Sequence, residues 1–206
     1  PKVLEKIWGD WEKFASYAFN KSHATCYSWV AYQTAYLKAH YPAEYMAALM
    51  TRRFSQITEI TKLMEECQSM NIKTLGPDVN ESYRAFGVNE HGEIRFGLSA
   101  IKGMGTPAAD AIVAEREKNG PYKDIFDFAQ RVDFSNVNRK AFESLALSGG
   151  FDSFGIPREN FFGVNNKNEM FLDTLVRYGQ LYQREQHEAV TSLFGGLDAI
   201  EIATPP

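Results

Sequence analysis

Apolar residues recur at spacings of three and four along the first 70 residues, the pattern of helices that each bury one face. Val3, Leu4, Ile7, Trp11, Phe14, Ala15 and Ala18 mark one helix over residues 2–18, and Tyr27, Val30, Ala31, Thr34, Ala35 and Leu37 mark a second over 23–40. Pro42 either closes that second helix or opens a third at its first turn, and the helical pattern continues over 42–53 and 58–70, the latter through Ile60, Leu63, Met64 and Cys67. An all-helical layer is expected here, with the apolar face of the first helix covered by the second. Trp29, Tyr32, Tyr36 and Tyr41 form an aromatic stripe that could stack bases, but rings at helical spacing usually pack in cores, and a core is the expectation.

The period changes after Asn71. Residues 72–80 read as short extended pieces and turns, and Phe86-Gly87-Val88 and Glu93-Ile94-Arg95-Phe96 flank the polar turn Asn89-Glu90-His91-Gly92 as a small β-hairpin. Beyond it, Phe96-Gly97-Leu98-Ser99-Ala100-Ile101-Lys102-Gly103-Met104-Gly105 precedes a helix carrying Ala108, Ala109, Ile112, Val113 and Arg116. A short apolar helix, a Gly-x-Gly turn and a second helix with small inward residues make a helix-hairpin-helix. Glycines let such a turn aim successive backbone N–H groups outward and admit a phosphate closely. Ile101, Lys102, Gly103, Met104, Gly105 and Thr106 are therefore candidates for gripping duplex DNA by its backbone, with Lys102 as a point charge. The competing reading is a glycine-rich turn between packed helices, and the flanking residues favour DNA.

Asp124 should cap a short helix to Val132 with Phe126, Phe128 and Ala129 inward, and residues 137–147 form another on Val137, Ala141, Leu145 and Ala146. Gly149-Gly150 then reads as the turn of a second, degenerate helix-hairpin-helix, with Pro157 opening its second helix. A long helix is expected from Asn165 to His187, followed by the short apolar run Val190-Thr191-Ser192-Leu193-Phe194 in a tail expected to be disordered. An apolar pair in such a tail asks for a pocket on a partner, or docks back onto its own domain.

Composition narrows the possible functions. The net charge of −4 supplies no global field for nucleic acid, so any DNA binding must be local. Residues 1–53 carry seven basic against four acidic residues, leaving the remainder acidic. Cys26 and Cys67 have no metal-ligand spacing, and no apolar run approaches membrane-spanning length. The start at Pro1, directly in a helical pattern, points to a piece of something longer. Three polar groups stand together at Lys21, Ser22 and His23, where one helix should end and the next begin. Ser22 is the expected N-cap of a helix starting near His23, and the corner reads either as a phosphate site at a helix N-terminus or as a capped turn.

Tyr17-x-Phe19-Asn20-Lys21-Ser22-His23-Ala24, the run Ala31 to Pro42, Gly76-Pro77-Asp78-Val79-Asn80, the Gly97 to Gly105 stretch and Ser148-Gly149-Gly150-Phe151-Asp152 together resemble the bacterial replicative DNA polymerase III α subunits, C-family DNA polymerases. The resemblance runs in order over nearly the whole chain. It implies a mainly α fold: a helical fingers segment over residues 1–80, a β-hairpin with a tandem helix-hairpin-helix DNA-binding module over 81–162, and a C-terminal helix with a clamp-binding tail over 163–206. By the same resemblance Lys21 and His23 face the incoming triphosphate, Ser22 and Asn20 support them, and Tyr17 lies near the base. Ser192, Leu193 and Phe194 fall where the family carries its sliding-clamp peptide, with Val190 in place of the usual leading Gln.

The implied partners are duplex DNA without sequence preference, the sliding clamp and other replicative holoenzyme subunits, in the cytoplasm and with no membrane role. The implied activity is DNA-directed DNA polymerisation by the longer parent. Two-metal phosphoryl transfer needs bridging carboxylates, and the chain contains no Asp-x-Asp pair. No catalytic residue, metal ligand or cofactor is therefore expected in these residues, Mg is expected in the missing palm, and the segment alone should be inactive. The rival readings are a stand-alone, non-catalytic helix-hairpin-helix DNA-binding protein and a phosphate-binding metabolic enzyme using the Lys21 to His23 corner.

Overall fold

The computed structural model describes residues 1–17, 21–165 and 167–191. The chain opens with helices α1 (Lys2–Tyr17) and α2 (Lys21–His40). Both form where the periodicity places them, but the expected burial does not follow. Trp8, Trp11 and Phe14 of α1 and Trp29, Tyr32 and Tyr36 of α2 are all exposed. The α2 rings contact one another along the helix instead, with Trp29 and Tyr32 stacked at 6.0 Å and Tyr36 against His40 at 4.2 Å. The aromatic stripe is thus not core, because apolar residues are spread around α2 and no described element covers them. The Ser22 cap is corrected too: α2 already includes Lys21, which places Ser22 inside its first turn.

Helix α3 (Pro42–Arg52) takes Pro42 at its first turn, where a missing N–H costs nothing. Ala43, Met46, Ala47 and Met50 lie on one face at spacings of three and four and are buried. They share a core with Ile60 and Cys67 of α4 (Ile57–Ser69), and Lys38 at the end of α2 is ion-paired to Glu66 on α4. Asn71 ends that helix in the left-handed region at φ 57°.

Strands β1 (Thr74–Leu75), β2 (Gly87–Val88) and β3 (Ile94–Arg95) then form a small sheet in the order β1-β3-β2. β2 and β3 are the expected antiparallel hairpin. Its turn is held by the Asn89 side-chain oxygen, which accepts from the N–H groups of His91 and Glu93 at 3.0 and 2.9 Å. β1 adds a parallel edge that the sequence leaves as an extended piece. Phe86 and Ile94 close the α3/α4 core from the sheet side.

A second core is built by α5 (Thr106–Asn119), α6 (Ile125–Arg131), α7 (Arg139–Ser148) and α8 (Phe171–Thr191). The Asp124 carboxylate accepts from the N–H groups of Phe126 and Asp127, each at 2.8 Å, the cap expected from sequence. Asn138 caps α7 in the same way. Phe128 packs edge-on to Tyr122, Phe142 and Phe151 at the centre. The Tyr122 hydroxyl donates to the Ile112 carbonyl, and burial pushes its phenol well above the usual range.

Two expectations fail in the last third. After Gly149, left-handed at φ 88°, the chain makes 3₁₀ turns over Asp152–Phe154 and Arg158–Phe162 rather than a second α-helix. An Arg158–Asp152 ion pair holds this return. Helix α8 starts at Phe171 instead of Asn165, because the Asn165 side-chain oxygen accepts from Lys167 and Glu169 N–H groups and bends the chain back, pairing Val164 with Met170. Gly179 then allows α8 to lie directly on α6, since a side-chain carbon there would meet the Ala129 carbonyl oxygen at 2.3 Å.

Candidate nucleic-acid interface

The hairpin is held from both sides by apolar anchors. Leu98 and Ile101 before the turn and Met104 within it are buried, while Lys102, Gly103, Gly105 and Thr106 are exposed. Burying positions 101 and 104 forces the two residues between them outward. A hydrogen bond from the Met104 N–H to the Ile101 carbonyl at 3.0 Å closes the turn, with Gly103 at φ 89°, a region that only glycine enters without strain. The first arm is one 3₁₀ turn, Leu98–Ala100, shorter than the helix expected there.

Helix α5 begins immediately after Gly105, with Pro107 in its first turn. Its initial N–H groups have no carbonyl one turn back. Those of Gly103, Gly105, Thr106 and Ala108 donate no hydrogen bond among the described residues. They open at the positive end of a 14-residue helix dipole, the geometry that receives a phosphate. Lys102 forms no ion pair among the described residues.

The α5 axis is fixed from the other end. Arg116, buried within α5, donates to the carbonyls of Val79 and Ser82, each at 2.8 Å, and lies 5.3 Å from the Tyr83 ring centre. Ile101 and Met104 therefore lock the turn, with their side chains directed into the core.

Two residues absent from the sequence-derived site lie against it. A side-chain carbon on Gly103 would sit 2.7 Å from the Ser144 hydroxyl and 3.3 Å from Lys140 Cε, both on α7. No local spacing connects positions 103 and 140, so only packing of the two hairpin units reveals their proximity.

The Lys21 corner lies at the start of α2. Lys21, Ser22 and His23 are all exposed, and the His23 ring lies 4.4 Å from that of Tyr27. Tyr17 is the last residue of α1. Asn20, and the tail residues Ser192, Leu193 and Phe194, lie outside the described residues. No group of three or more His, Cys, Asp or Glu side chains able to hold a metal occurs among the described residues. The donor set therefore does not fit the paired metals of phosphoryl transfer, and no catalytic step is assigned to these residues. No helix among the described residues is long and apolar enough to cross a membrane.

Comparison with known proteins agrees with this geometry. The family described as a helix-hairpin-helix motif matches residues 71–161, from the end of α4 to the second hairpin unit. Over 202 residues, 97% of this chain, the sequence is 45% identical to the DNA polymerase III subunit alpha of Chlamydia trachomatis, covering 15% of that protein. The proteins of the same name from Pasteurella multocida and Escherichia coli K12 are 49% and 46% identical over 154 residues, 75% of this chain and 13% of each relative. The chain thus spans about 15% of the length of the curated relatives it matches. With 45% identity over 97% of its length, the chain belongs to the DNA polymerase III α-subunit family, of which it represents one segment.

Proposed function

We propose that this segment serves template-directed DNA synthesis by gripping duplex DNA, without reading its sequence, in a DNA-directed DNA polymerase. The observation that carries the proposal is the set of N–H groups of Gly103, Gly105, Thr106 and Ala108 at the start of α5, which have no hydrogen-bond partner among the described residues, beside Lys102, which forms no ion pair among them. Backbone donors fix the position of a phosphate and discriminate no base. The grip is local, which suits a chain whose net charge is −4.

The test is fluorescence anisotropy of the 206-residue chain with labelled duplexes of unrelated sequence over a salt series. Binding should be similar for all sequences, with log K falling linearly in log salt by about 0.9 for each phosphate neutralised. Lys102→Ala should reduce that slope by about one. Absence of binding at low salt, or a slope indifferent to Lys102, would contradict the proposal.

The remaining assignments rest on family membership and residue chemistry. Lys21 is suited to a triphosphate as a point charge and His23 as a donor, with Ser22 and Asn20 supporting them and Tyr17 near the base of the incoming nucleotide. Leu193 and Phe194, with Ser192, supply the apolar anchors of a sliding-clamp peptide, and other holoenzyme subunits act beside them in the cytoplasm. In the full-length polymerase, Lys21→Ala should raise the KM for nucleotide while leaving DNA affinity intact, and unchanged nucleotide kinetics would remove that role. In the same protein Phe194→Ala should weaken clamp binding at least several-fold; equal affinity would mean that the anchor lies elsewhere.

A further inference from the structure

We propose that Lys140 and Ser144 of α7 complete the phosphate site of the hairpin, so that a single DNA phosphate is held between the Gly103 turn and α7. The inference rests on the duplex-binding reading above and adds residues that the hairpin motif does not contain.

Three observations converge on it. The first is the contact at Gly103: Lys140 Cε and Cγ lie 3.3 and 3.9 Å, and Ser144 Oγ 2.7 Å, from where a side-chain carbon would stand. Glycine at 103 thus does more than permit a positive φ. It leaves open the space through which the α7 groups reach the ligand side of the turn.

The second is the state of Ser144. It is only 8% exposed, yet its hydroxyl has no hydrogen-bond partner among the described residues. A buried helical serine ordinarily returns its hydroxyl to a carbonyl one turn back. Ser144 does not, and its oxygen instead faces the Gly103 turn, where an incoming phosphate oxygen would accept from it.

The third is charge. Helix α7 opens with Arg139 and Lys140 and has no acidic residue in its first turn, although cations at a helix N-terminus oppose the macrodipole. Arg139 is neutralised by Asp173 at 2.6 Å and Glu143 at 3.0 Å. Lys140 is exposed and forms no ion pair among the described residues. An anion arriving at the hairpin would meet its ammonium and relieve that opposition.

The division of labour follows from the phosphodiester itself, which presents two non-bridging oxygens. The backbone N–H groups of Gly103, Gly105 and Thr106 take one, and Lys140 with Ser144 takes the other. Lys102 supplies charge from the outer side of the turn.

The salt-series titration tests this directly with Lys140→Ala, Lys140→Arg, Ser144→Ala and Lys102→Ala in the 206-residue chain. Lys140→Ala should lower the salt slope by about one, as Lys102→Ala does, and Lys140→Arg should restore it. Ser144→Ala, which removes no charge and suits a helix interior, should weaken binding several-fold at an unchanged slope. If Lys102→Ala lowers the slope while Lys140→Ala and Ser144→Ala leave both slope and affinity at wild-type values, the shared site is wrong and the duplex-binding reading stands. If the wild-type chain binds no duplex, both fall together.

Discussion

Replacing Phe128 with alanine should lower the unfolding free energy by about 3–5 kcal/mol, the range for emptying a fully buried aromatic site. Phe128 on α6 has no exposed surface, and its ring meets Tyr122 at 4.8 Å, Phe151 at 5.0 Å and Phe142 at 5.3 Å. These neighbours belong to the loop after α5, the glycine turn of the second unit and α7. The cavity would therefore open where three parts of the module meet. Denaturant unfolding followed by circular dichroism measures the effect. A loss below about 1 kcal/mol, the size of a surface change, would mean that Phe128 is not at the centre of this core.

The second large effect is expected at Gly179. Valine there would place its Cβ 2.3 Å from the Ala129 carbonyl oxygen and 2.7 Å from the Phe134 ring. The Phe134 ring could rotate, but the Ala129 carbonyl is backbone of α6 and cannot. Helix α8 must then lift off α6, breaking the bonds from the Gln183 amide to the Gln130 and Val132 carbonyls at 2.9 and 2.7 Å and the contact between Gln130 and the Tyr178 hydroxyl. Overpacking costs about 1–3 kcal/mol where side chains can adjust, so about 3 kcal/mol is expected where backbone must. Gly179→Val with unaltered unfolding would show that α8 does not lie on α6 at this distance.

Much of the architecture was legible in the sequence because it is local. The Asp124 cap, the Asn89 to Gly92 turn and the glycines of the first hairpin each answer to a backbone requirement met within four residues. Where the reading failed, a distant or competing interaction decided the outcome. Asn165 bends the chain before α8 because its side-chain oxygen outbids the helix for local N–H groups, and Asn168 completes the bend in the left-handed region at φ 59°. The apolar periodicity of α1 was real, but periodicity says which face is apolar and not what covers it, while α2 carries apolar residues all round; Trp11 and Trp29 are exposed among the described residues.

The candidate site divides in the same way. Gly103, Gly105 and Lys102 could be read from one short stretch. The inward direction of Ile101 and Met104 depends on the core beneath them, and the approach of Lys140 and Ser144 depends on how one hairpin unit packs on the other.

Duplex DNA held at the Gly103 turn and the start of α5 would register in the backbone amide resonances of the 15N-labelled chain as duplex is added. The predicted result is that the largest shifts fall on Lys102, Gly103, Gly105, Thr106 and Ala108, with a second group on α7 at Lys140 to Ser144. Shifts concentrated on the exposed aromatic face of α2, with the Gly103 turn unmoved, would contradict it.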